Sequence, residues 1–259
     1  SFRALKLPLP PLAEQQRIVA KLDAAFAEID RAVGLSEKQK VEAQNLLDAT
    51  ISKIFSDSLI EATEYLISDV VTRLTNGYVG ATKNIYQDDG IPYLLARHVK
   101  NNTLKFDRKT FITDAFNKKH QKSMLKADDV LLVQSGHIGH SAVVPVEHEG
   151  HNCHAMIVIS TIKEVLSGEY LSALFNTRQY KNKLLSLRTG STVPHLNCGD
   201  INKLRIPVPK PATQRKIIAL TADATSKFVE LDAAITSKIV QLKNLQSAIL
   251  TQALQPPQQ

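Results

Sequence analysis

Two long stretches of the chain place apolar side chains at alternating steps of four and three residues. This heptad pattern predicts a long helix with one apolar seam in each stretch. In the first stretch the apolar seam positions are Leu22, Phe26, Ile29, Val33, Leu47 and Ile54, and in the second they are Phe228, Leu231, Ile235, Leu242, Leu245 and Ile249. Polar residues such as Ser36, Lys40 and Lys238 dilute both seams near the middle.

Helices of this length need a long partner. For about forty residues after Leu12 and after Pro211 no residue breaks a helix except Gly34, which costs roughly 1 kcal/mol in a helix interior. A helix of about 45 residues is roughly 65 Å long, too long for one small domain to cover. We therefore predict that the two helices pair with each other, and two ordinary amphipathic helices lying on a core remain the alternative.

The two stretches are copies of one unit. Each begins with a proline-punctuated apolar entry, "LKLPLPPLAEQQRIVAKLD" from Leu5 and "LRIPVPKPATQRKIIAL" from Leu204. A shift of 199 positions aligns residues 5–56 with residues 204–255 without a gap, and twelve of the fifty-two pairs are identical. The prolines force an extended approach to each helix. A repeat of this kind fixes the architecture before any other feature does.

The segment between the repeats has a different pattern of apolar residues, with short runs in place of long heptads. "DDVLLVQSG" (128–136), "HSAVVPVEH" (140–148) and "HAMIVIST" (154–161) are short β-branched runs, which predict strands, and residues 167–187 have helical spacing. The chain therefore reads as α+β: one globular α/β domain flanked by two long α-helices that pair as an antiparallel coiled coil. We place the boundaries at residues 1–57, 58–205 and 206–259.

Composition narrows the class of protein. The net charge of +7 and pI near 9.3 favour a polyanion as partner. No run of eighteen apolar residues occurs, which argues against a transmembrane helix. Two cysteines suit a reducing cytoplasm, where we expect the protein to work. The start has neither an initiator Met nor a signal-peptide core, and we expect a segment of a longer chain.

Several motifs together resemble the DNA-specificity (S) subunit of Type I restriction–modification systems. They are the "LPPLAEQQRI" entry (9–18), "TNGYVGATK" (75–83), "GIPYLLARHV" (90–99), "LKADDVLLVQSGHIGHSAVV" (125–144) and "TGSTVPHLNCGDINKLRIPVP" (189–209). The middle is similar to that subunit's target-recognition domain, and the repeats are similar to its conserved spacer helices. A complete S subunit alternates two target domains with two spacers, whereas this chain has spacer, target domain, spacer. Residues 1–11 then resemble the tail of a missing first domain.

The resemblance implies a function, partners and cofactors. It implies a non-catalytic subunit that recognises a bipartite site in double-stranded DNA, with the helix pair setting the half-site spacing. Methyltransferase (M) subunits dock on such a chain, restriction (R) subunits join the complex, and a homodimer or a complementing half subunit is possible. S-adenosylmethionine, ATP and Mg are expected only in the partner subunits, and we expect no cofactor or membrane contact here. The alternatives are a coiled-coil scaffold whose middle domain binds protein and, more weakly, a hydrolase built on Ser135 or a histidine.

"QSGHIGHS" (134–141) is the sharpest candidate for a DNA contact. Its glycines let the backbone approach a ligand closely, and Gln134, Ser135 and His137 could reach phosphates or base edges, since glutamine suits adenine. A tight turn with solvated polar residues is the alternative. A serine-nucleophile elbow would need glycine where Val133 stands, so we set that hypothesis aside.

Other candidate DNA contacts lie in loops that combine cations and hydroxyl groups. Such loops grip phosphate by side chains and backbone N–H groups together. The candidates are Arg188, Thr189, Ser191, Thr192 and His195 in "RTGSTVPHL", Arg97, His98 and Lys100 in "ARHVK", and Lys83. For any single one of these residues, simple surface solvation is the competing interpretation.

No metal site is predicted. "VEHEGHNCH" (146–154) offers three histidines and Cys153, but the spacing matches no paired zinc-ligand pattern, and a polar turn is the better interpretation. The sequence also has no Gly-rich phosphate-binding motif that ends in Lys-Ser/Thr.

Overall fold

The computed structural model describes residues 10–82, 84–100, 102–190 and 194–255. The chain divides into two compact units. The helical unit contains the residues up to Leu47 and those from Thr225 onward, and the globular unit is Asp48–Ala224. Both predicted domain boundaries fall inside the globular unit, because the division between the units cuts through the two long helices.

The structure contains seven α-helices and twelve β-strands in its described residues, each class numbered in chain order. The helices are α1 (Leu12–Ser58), α2 (Ile67–Val70), α3 (Asp114–Lys119), α4 (Gly168–Asn176), α5 (Arg178–Ser186), α6 (Cys198–Asn202) and α7 (Pro211–Ala253). The strands are β1 (Thr63–Leu66), β2 (Val71–Asn76), β3 (Tyr86–Gln87), β4 (Ile91–Leu94), β5 (Val99–Lys100), β6 (Thr103–Leu104), β7 (Phe111–Ile112), β8 (Val130–Val133), β9 (Ser141–Val143), β10 (Asn152–Cys153), β11 (Met156–Thr161) and β12 (Arg205–Val208). No described helix combines the length and the apolarity needed to cross a bilayer.

In the helical unit, α1 and α7 run antiparallel. Lys40 Nζ lies 3.1 Å from Asp232 Oδ1 and donates to Thr236 Oγ1 at 2.8 Å. Ten residues earlier on α1, Asp30 Oδ1 accepts from Gln246 Nε2 at 3.4 Å. A step backward on α1 is thus a step forward on α7. The predicted fold class, a globular α/β domain flanked by two long paired helices, is confirmed.

The seam on α7 differs from the predicted one. Ile235 is buried at 8% exposure, but Leu231 and Leu245 are 47% and 50% exposed. The less exposed neighbours are Asp232 and Gln246, one residue later in each case. Both make the cross-helix polar contacts given above, and the two leucines lie beside the seam rather than in it.

A second difference concerns the end of α1. Ile54 belongs to the predicted seam, but it packs against the main apolar core of the globular unit, as does the buried Phe55. The remaining seam positions are at least partly buried: Leu22, Phe26, Ile29, Val33, Leu47, Phe228, Leu242 and Ile249.

The globular unit is built on a four-stranded sheet in the order β2-β11-β8-β9, with antiparallel pairing throughout. Alternate residues of β11 enter different cores, because successive side chains of a strand point to opposite faces. Ile157 and Ile159 join the core that includes α4 and α5, while Met156 and Val158 join a second core on the other face. Burial on both faces explains why β8 and the first four residues of β11 are continuously apolar.

Smaller pairings complete the globular unit. A second four-stranded sheet has the order β10-β4-β7-β3, and β5 pairs with β6. β1 pairs antiparallel with β12, so the entry to and the exit from the globular unit lie side by side.

The predicted helix over 167–187 is two helices. Thr177 separates them, since its hydroxyl donates to Leu174 O at 2.7 Å and accepts from Tyr180 N at 3.3 Å as the cap of α5.

A buried ion pair joins β2 and β11 to Asp129, the residue directly before β8. The Arg73 guanidinium on β2 pairs with the Asp129 carboxylate, which is 2% exposed. Ser160 Oγ on β11 donates to Asp129 Oδ1 at 2.5 Å, and Lys126 N donates to Oδ2 at 2.8 Å. Arg73 also donates to Met124 O at 2.9 Å. Every polar group in this cluster therefore has a partner, which is what allows the charges to be buried.

We predict that Asp129→Asn destabilises the protein by about 3–5 kcal/mol, because Arg73 is then left as an uncompensated charge. Asp128→Asn is the matched control. Its carboxylate pairs with Lys163 at the surface, so that its loss should cost about 1 kcal/mol or less. Urea unfolding of both variants gives the two values. Equal losses would show that the buried pair has no special role.

We also predict that Ile235→Ala lowers the unfolding free energy of the helical unit by about 2–4 kcal/mol, whereas Leu231→Ala changes it by less than about 0.5 kcal/mol. The reason is the register, since Ile235 lies in the seam and Leu231 lies beside it. Denaturant unfolding followed by helical circular dichroism measures both. A larger loss for Leu231→Ala would restore the seam predicted from the sequence.

Candidate nucleic-acid interface

Three loops leave the main sheet at the same end. β2 ends at Asn76, β8 ends at Val133, and β11 begins at Met156. Met156 is the register partner of Val133, and Ile157 is the partner of Asn76. Because β11 is antiparallel to both neighbours, its start lies beside their ends. The loops after Asn76 and after Val133, and the loop before Met156, therefore meet.

A fourth segment is hydrogen-bonded to this end of the sheet. Ser135 and His195 form an antiparallel bridge, and Leu196 N donates to Gln134 O at 2.9 Å. Thr189 and His195 exchange two backbone hydrogen bonds of 2.9 Å. Two motifs that forty-six residues of sequence separate, "QSGHIGHS" and "RTGSTVPHL", are thus joined. We call residues 76–80, 134–140, 153–155 and 188–198 the loop edge; residues 191–193 of it lie outside the described chain.

Two glycines of the loop edge are required by its geometry. A Cβ at Gly77 would lie 2.5 Å from Cys153 Sγ and 2.6 Å from Cys153 O. Gly77 therefore lets the first loop lie directly against the third. Gly136 has a φ of +71° and open space around its Cα, so it turns the β8–β9 loop while leaving bare backbone at the surface.

The loop edge exposes most of the predicted residues that fall within it. His137, Arg188, Thr189 and His195 are exposed, and Ser135 is half-buried. Gln134 is only 9% exposed. Its side-chain oxygen has no hydrogen-bond partner among the described residues.

Three predicted contacts, Lys83, Ser191 and Thr192, lie outside the described residues. Their roles stay predictions.

The "ARHVK" motif is divided between the interior and the surface. His98 is 1% exposed; its Nδ1 accepts from Leu95 N at 3.1 Å, and its ring meets Phe106 edge-on at 5.0 Å. Burial lowers its pKa. This corrects its predicted role as a DNA contact, since the imidazole packs inside the domain. Arg97 is exposed, but its guanidinium donates to Arg108 O at 2.9 Å and to Thr110 Oγ1.

Lys100 is exposed on β5, and its charge affects a residue of the loop edge. It acts on His140, whose pKa is lowered to about 4 by desolvation first and then by Lys181, His137 and Lys100. Burial also lowers the pKa of Lys181, an effect that Asp48 opposes. Neither His140 nor Lys181 was predicted from the sequence. His140 stands inside the quoted "QSGHIGHS" motif, whereas nothing in the pattern of α5 points to Lys181.

The charge of the loop edge is of one sign. None of its four segments contains an Asp or Glu, whereas Arg188 and several histidines belong to it. Carboxylates would repel phosphate at close range. This composition therefore suits a surface that approaches a polyanion.

An aromatic cluster adjoins the first loop. The Tyr78 ring lies 5.0 Å from Phe116 and 4.7 Å from His120, measured between centroids. Beneath it, Tyr93 is fully buried and its hydroxyl has no hydrogen-bond partner among the described residues. The "TNGYVG" motif drew attention to this loop in the sequence, but it did not indicate that the rings of Phe116 and His120 pack around Tyr78.

The histidine-rich turn does not assemble a ligand set. His148 Nδ1 and His151 Nδ1 lie 3.2 Å apart. No group of three or more His, Cys, Asp or Glu in the described chain could hold a metal ion. Both cysteines are free thiols, and burial raises the pKa of Cys153 to about 12, which leaves that thiol protonated and inert.

Fold and site together describe a domain that carries a carboxylate-free loop edge between two copies of one long helix. The profile of the Type I restriction modification DNA specificity domain matches residues 61–241. The chain belongs to this family, and the resemblance inferred from its motifs is confirmed.

Individual relatives agree with this assignment. The chain is 20% identical over 270 residues to the Type I restriction enzyme EcoBI specificity subunit of Escherichia coli, an alignment that covers 95% of this chain and 57% of the relative. It is 26% identical over 179 residues to the StySPI specificity subunit of Salmonella potsdam, covering 66% of this chain and 37% of the relative. The matched part of the chain thus spans a little more than half the length of the EcoBI subunit and just over a third of the StySPI subunit.

Solved structures share the fold. A chain from a structure on complex assembly and conformational transition of the type I R-M system has a TM-score of 0.73 at 18% identity, over 97% of this chain and 62% of that chain. The crystal structure of the HsdS subunit from Thermoanaerobacter tengcongensis has a TM-score of 0.56 at 18% identity, over 96% of this chain and 60% of that chain.

Proposed function

We propose that the globular unit reads base sequence in double-stranded DNA through its loop edge, as the DNA-recognition part of a Type I specificity subunit. The observation that carries this proposal is the hydrogen-bonded union of the "QSGHIGHS" and "RTGSTVPHL" motifs at one end of the sheet. Rigid strands hold the loops, and a site held by rigid elements positions its side chains well.

The loop edge offers both kinds of contact that a DNA reader needs. Its cations and exposed backbone suit phosphate groups, which set register and orientation. Its hydroxyl, imidazole and amide groups suit base edges. Gln134, whose amide oxygen has no hydrogen-bond partner within the described part of the chain, would gain one from an adenine amino group. Arg188 would pair with guanine or with phosphate.

In this proposal the helical unit measures distance and binds partners. The antiparallel pair would hold two DNA-reading domains at a fixed separation, so that half-site spacing follows from helix length. Leu231 and Leu245, two heptads apart and half exposed, would form part of a docking surface for methyltransferase subunits. Restriction subunits would join through the assembled complex, in the cytoplasm.

The proposal assigns no catalytic step to this chain. S-adenosylmethionine would bind to the methyltransferase subunits, and ATP and Mg²⁺ to the restriction subunits. A homodimer or a complementing half subunit would have to contact the helical unit outside the seam or open it, since α1 and α7 already pair within the chain.

We predict that selection from randomised duplexes, with the methyltransferase subunits present, returns one short motif. Arg188→Gln should weaken binding of that motif by about 1–3 kcal/mol with relaxed specificity at one position if Arg188 reads a base, or uniformly if it holds phosphate. Arg178→Gln is the matched control, an exposed arginine at the start of the helix that precedes the loop edge, and it should bind like the parent.

The outcome that contradicts a DNA reader is a selection without any enriched motif. A scaffold that binds protein would instead retain the methyltransferase subunits in pull-downs and show no preference among duplexes. Ser135→Ala and a fluorophosphonate label address the hydrolase alternative, since a serine hydrolase would be labelled and the variant would not.

We further predict that seven residues inserted in both helices, after Lys40 and before Thr236, lengthen the recognised half-site spacing by about three base pairs. Seven residues keep the heptad phase and add about 10 Å. Methylation profiling of an assembled enzyme with a second DNA-reading domain reports the spacing. The same insertion in α1 alone is the control, and it should destabilise the pair. An unchanged spacing with both insertions would refute the measuring role.

A further inference from the structure

Four basic side chains from three parts of the fold meet at the turn between β8 and β9. His137 and His140 belong to the turn itself, with their ring centroids 6.0 Å apart. Lys100 stands on β5, which packs beside β9. Lys181 stands on α5, and its side chain passes the turn at Gly139, where an added Cβ would lie 3.6 Å from Lys181 Cγ.

The surroundings of His140 disfavour a positive charge on its ring. The three other members of the cluster all disfavour protonation of His140, after desolvation, and they hold its pKa near 4. His140 is therefore neutral at pH 7. Burial likewise disfavours the charge on Lys181, although Asp48 acts in the opposite direction. Such a cluster becomes more favourable when an anion arrives, because an opposite charge stabilises each cation.

The turn also has the shape that an anion needs. Gly136 and Gly139 adopt φ of +71° and +89°. No atom lies within 4 Å of the position of a Cβ at Gly136, so backbone is accessible beside the histidines. Successive backbone groups in turns of this kind, together with cations, form anion-binding concavities.

We propose that Lys100, His137, His140 and Lys181 form one anion site that takes a phosphodiester group of DNA. The proposal rests on the proposed function, and it adds His140 and Lys181 to the interface. A bound phosphate would offset the repulsion from the lysines, so that His140 accepts a proton in the complex. Because the complex then binds one more proton than its components, DNA affinity should rise as the pH falls toward the pKa of free His140.

The first experiment follows the His140 ring by NMR in the full chain. In the free protein the resonance should titrate near pH 4. With a saturating 20-base-pair duplex its midpoint should move up by about one pH unit or more, which corresponds to at least a tenfold affinity gain at low pH. The same titration with pyrophosphate uses the anion alone. A midpoint that neither the duplex nor pyrophosphate shifts would overturn the proposal.

The second experiment compares Lys181→Gln with Lys183→Gln on the same helix. Lys183 lies 4.6 Å from the centroid of the Tyr180 ring and is not part of the cluster. Lys181→Gln should make the slope of log affinity against log salt shallower by about 0.9, the effect of one lost phosphate contact. Lys183→Gln should leave the slope unchanged. Equal slopes in the two variants would overturn the proposal, and the NMR spectrum of each variant verifies its fold.

The two proposals fail in different ways. A chain that binds no duplex, but whose His140 midpoint responds to pyrophosphate in a Lys181-dependent manner, keeps the anion site and loses the DNA-reading role. A chain that selects a DNA motif while Lys181→Gln and the His140 midpoint show no effect keeps the DNA-reading role and loses the anion site.

Discussion

The pairing of β11 with both β2 and β8 determines which loops of the globular unit meet. Because β11 is antiparallel to each neighbour, its first residue lies beside the last residues of both. A slip of one residue would move each side chain of β11 into the opposite core, and both cores would then have to repack around side chains of different shape. Burial on both faces therefore protects the register, and the register in turn places the loops. The buried pair of Arg73 and Asp129, bridged by Ser160 of β11, adds a polar restraint to the same arrangement.

The helical unit follows a different rule. Polar residues lie among the apolar ones along its seam, and they pair across the two helices, Lys40 with Asp232 and Gln246 with Asp30. Polar contacts in a coiled coil contribute less stability than apolar packing, but they fix register and orientation. A pair that is proposed to measure a distance needs a fixed register more than it needs the highest stability.

Much of this could be predicted from the sequence, and the failures have identifiable physical causes. The heptads and the repeat predict the long helices, and β-branched runs predict β8, β9 and β11. The heptad spacing cannot distinguish Leu231 from Asp232 as the seam residue, because that choice depends on partners across the pair. His98 looks like an exposed cation in the sequence, whereas tertiary packing buries it against Phe106.

The contact between the motifs "QSGHIGHS" and "RTGSTVPHL" could not be predicted from the sequence either. Nothing in the spacing of Ser135 and His195 indicates a bridge between them, since strand pairing decides which chain segments become neighbours. His140 and Lys181 meet for the same reason. Single-residue chemistry therefore suggested several candidate contacts that lie at the loop edge, such as His137 and Thr189, whose contact with DNA stays a prediction. It did not suggest the cluster that surrounds His140.

The way in which the loop edge is held suits the proposed function, in which one scaffold would serve different recognition surfaces. Its contacts between segments are largely backbone hydrogen bonds, as between Thr189 and His195 or between Leu196 and Gln134. Backbone pairing makes few demands on side-chain identity, so exposed residues of these loops can change while the sheet beneath them keeps its shape. A TM-score of 0.73 at only 18% identity shows that the fold tolerates extensive substitution. Separation of the groups that hold the loops from the groups that face the ligand is the property that a family of sequence readers requires.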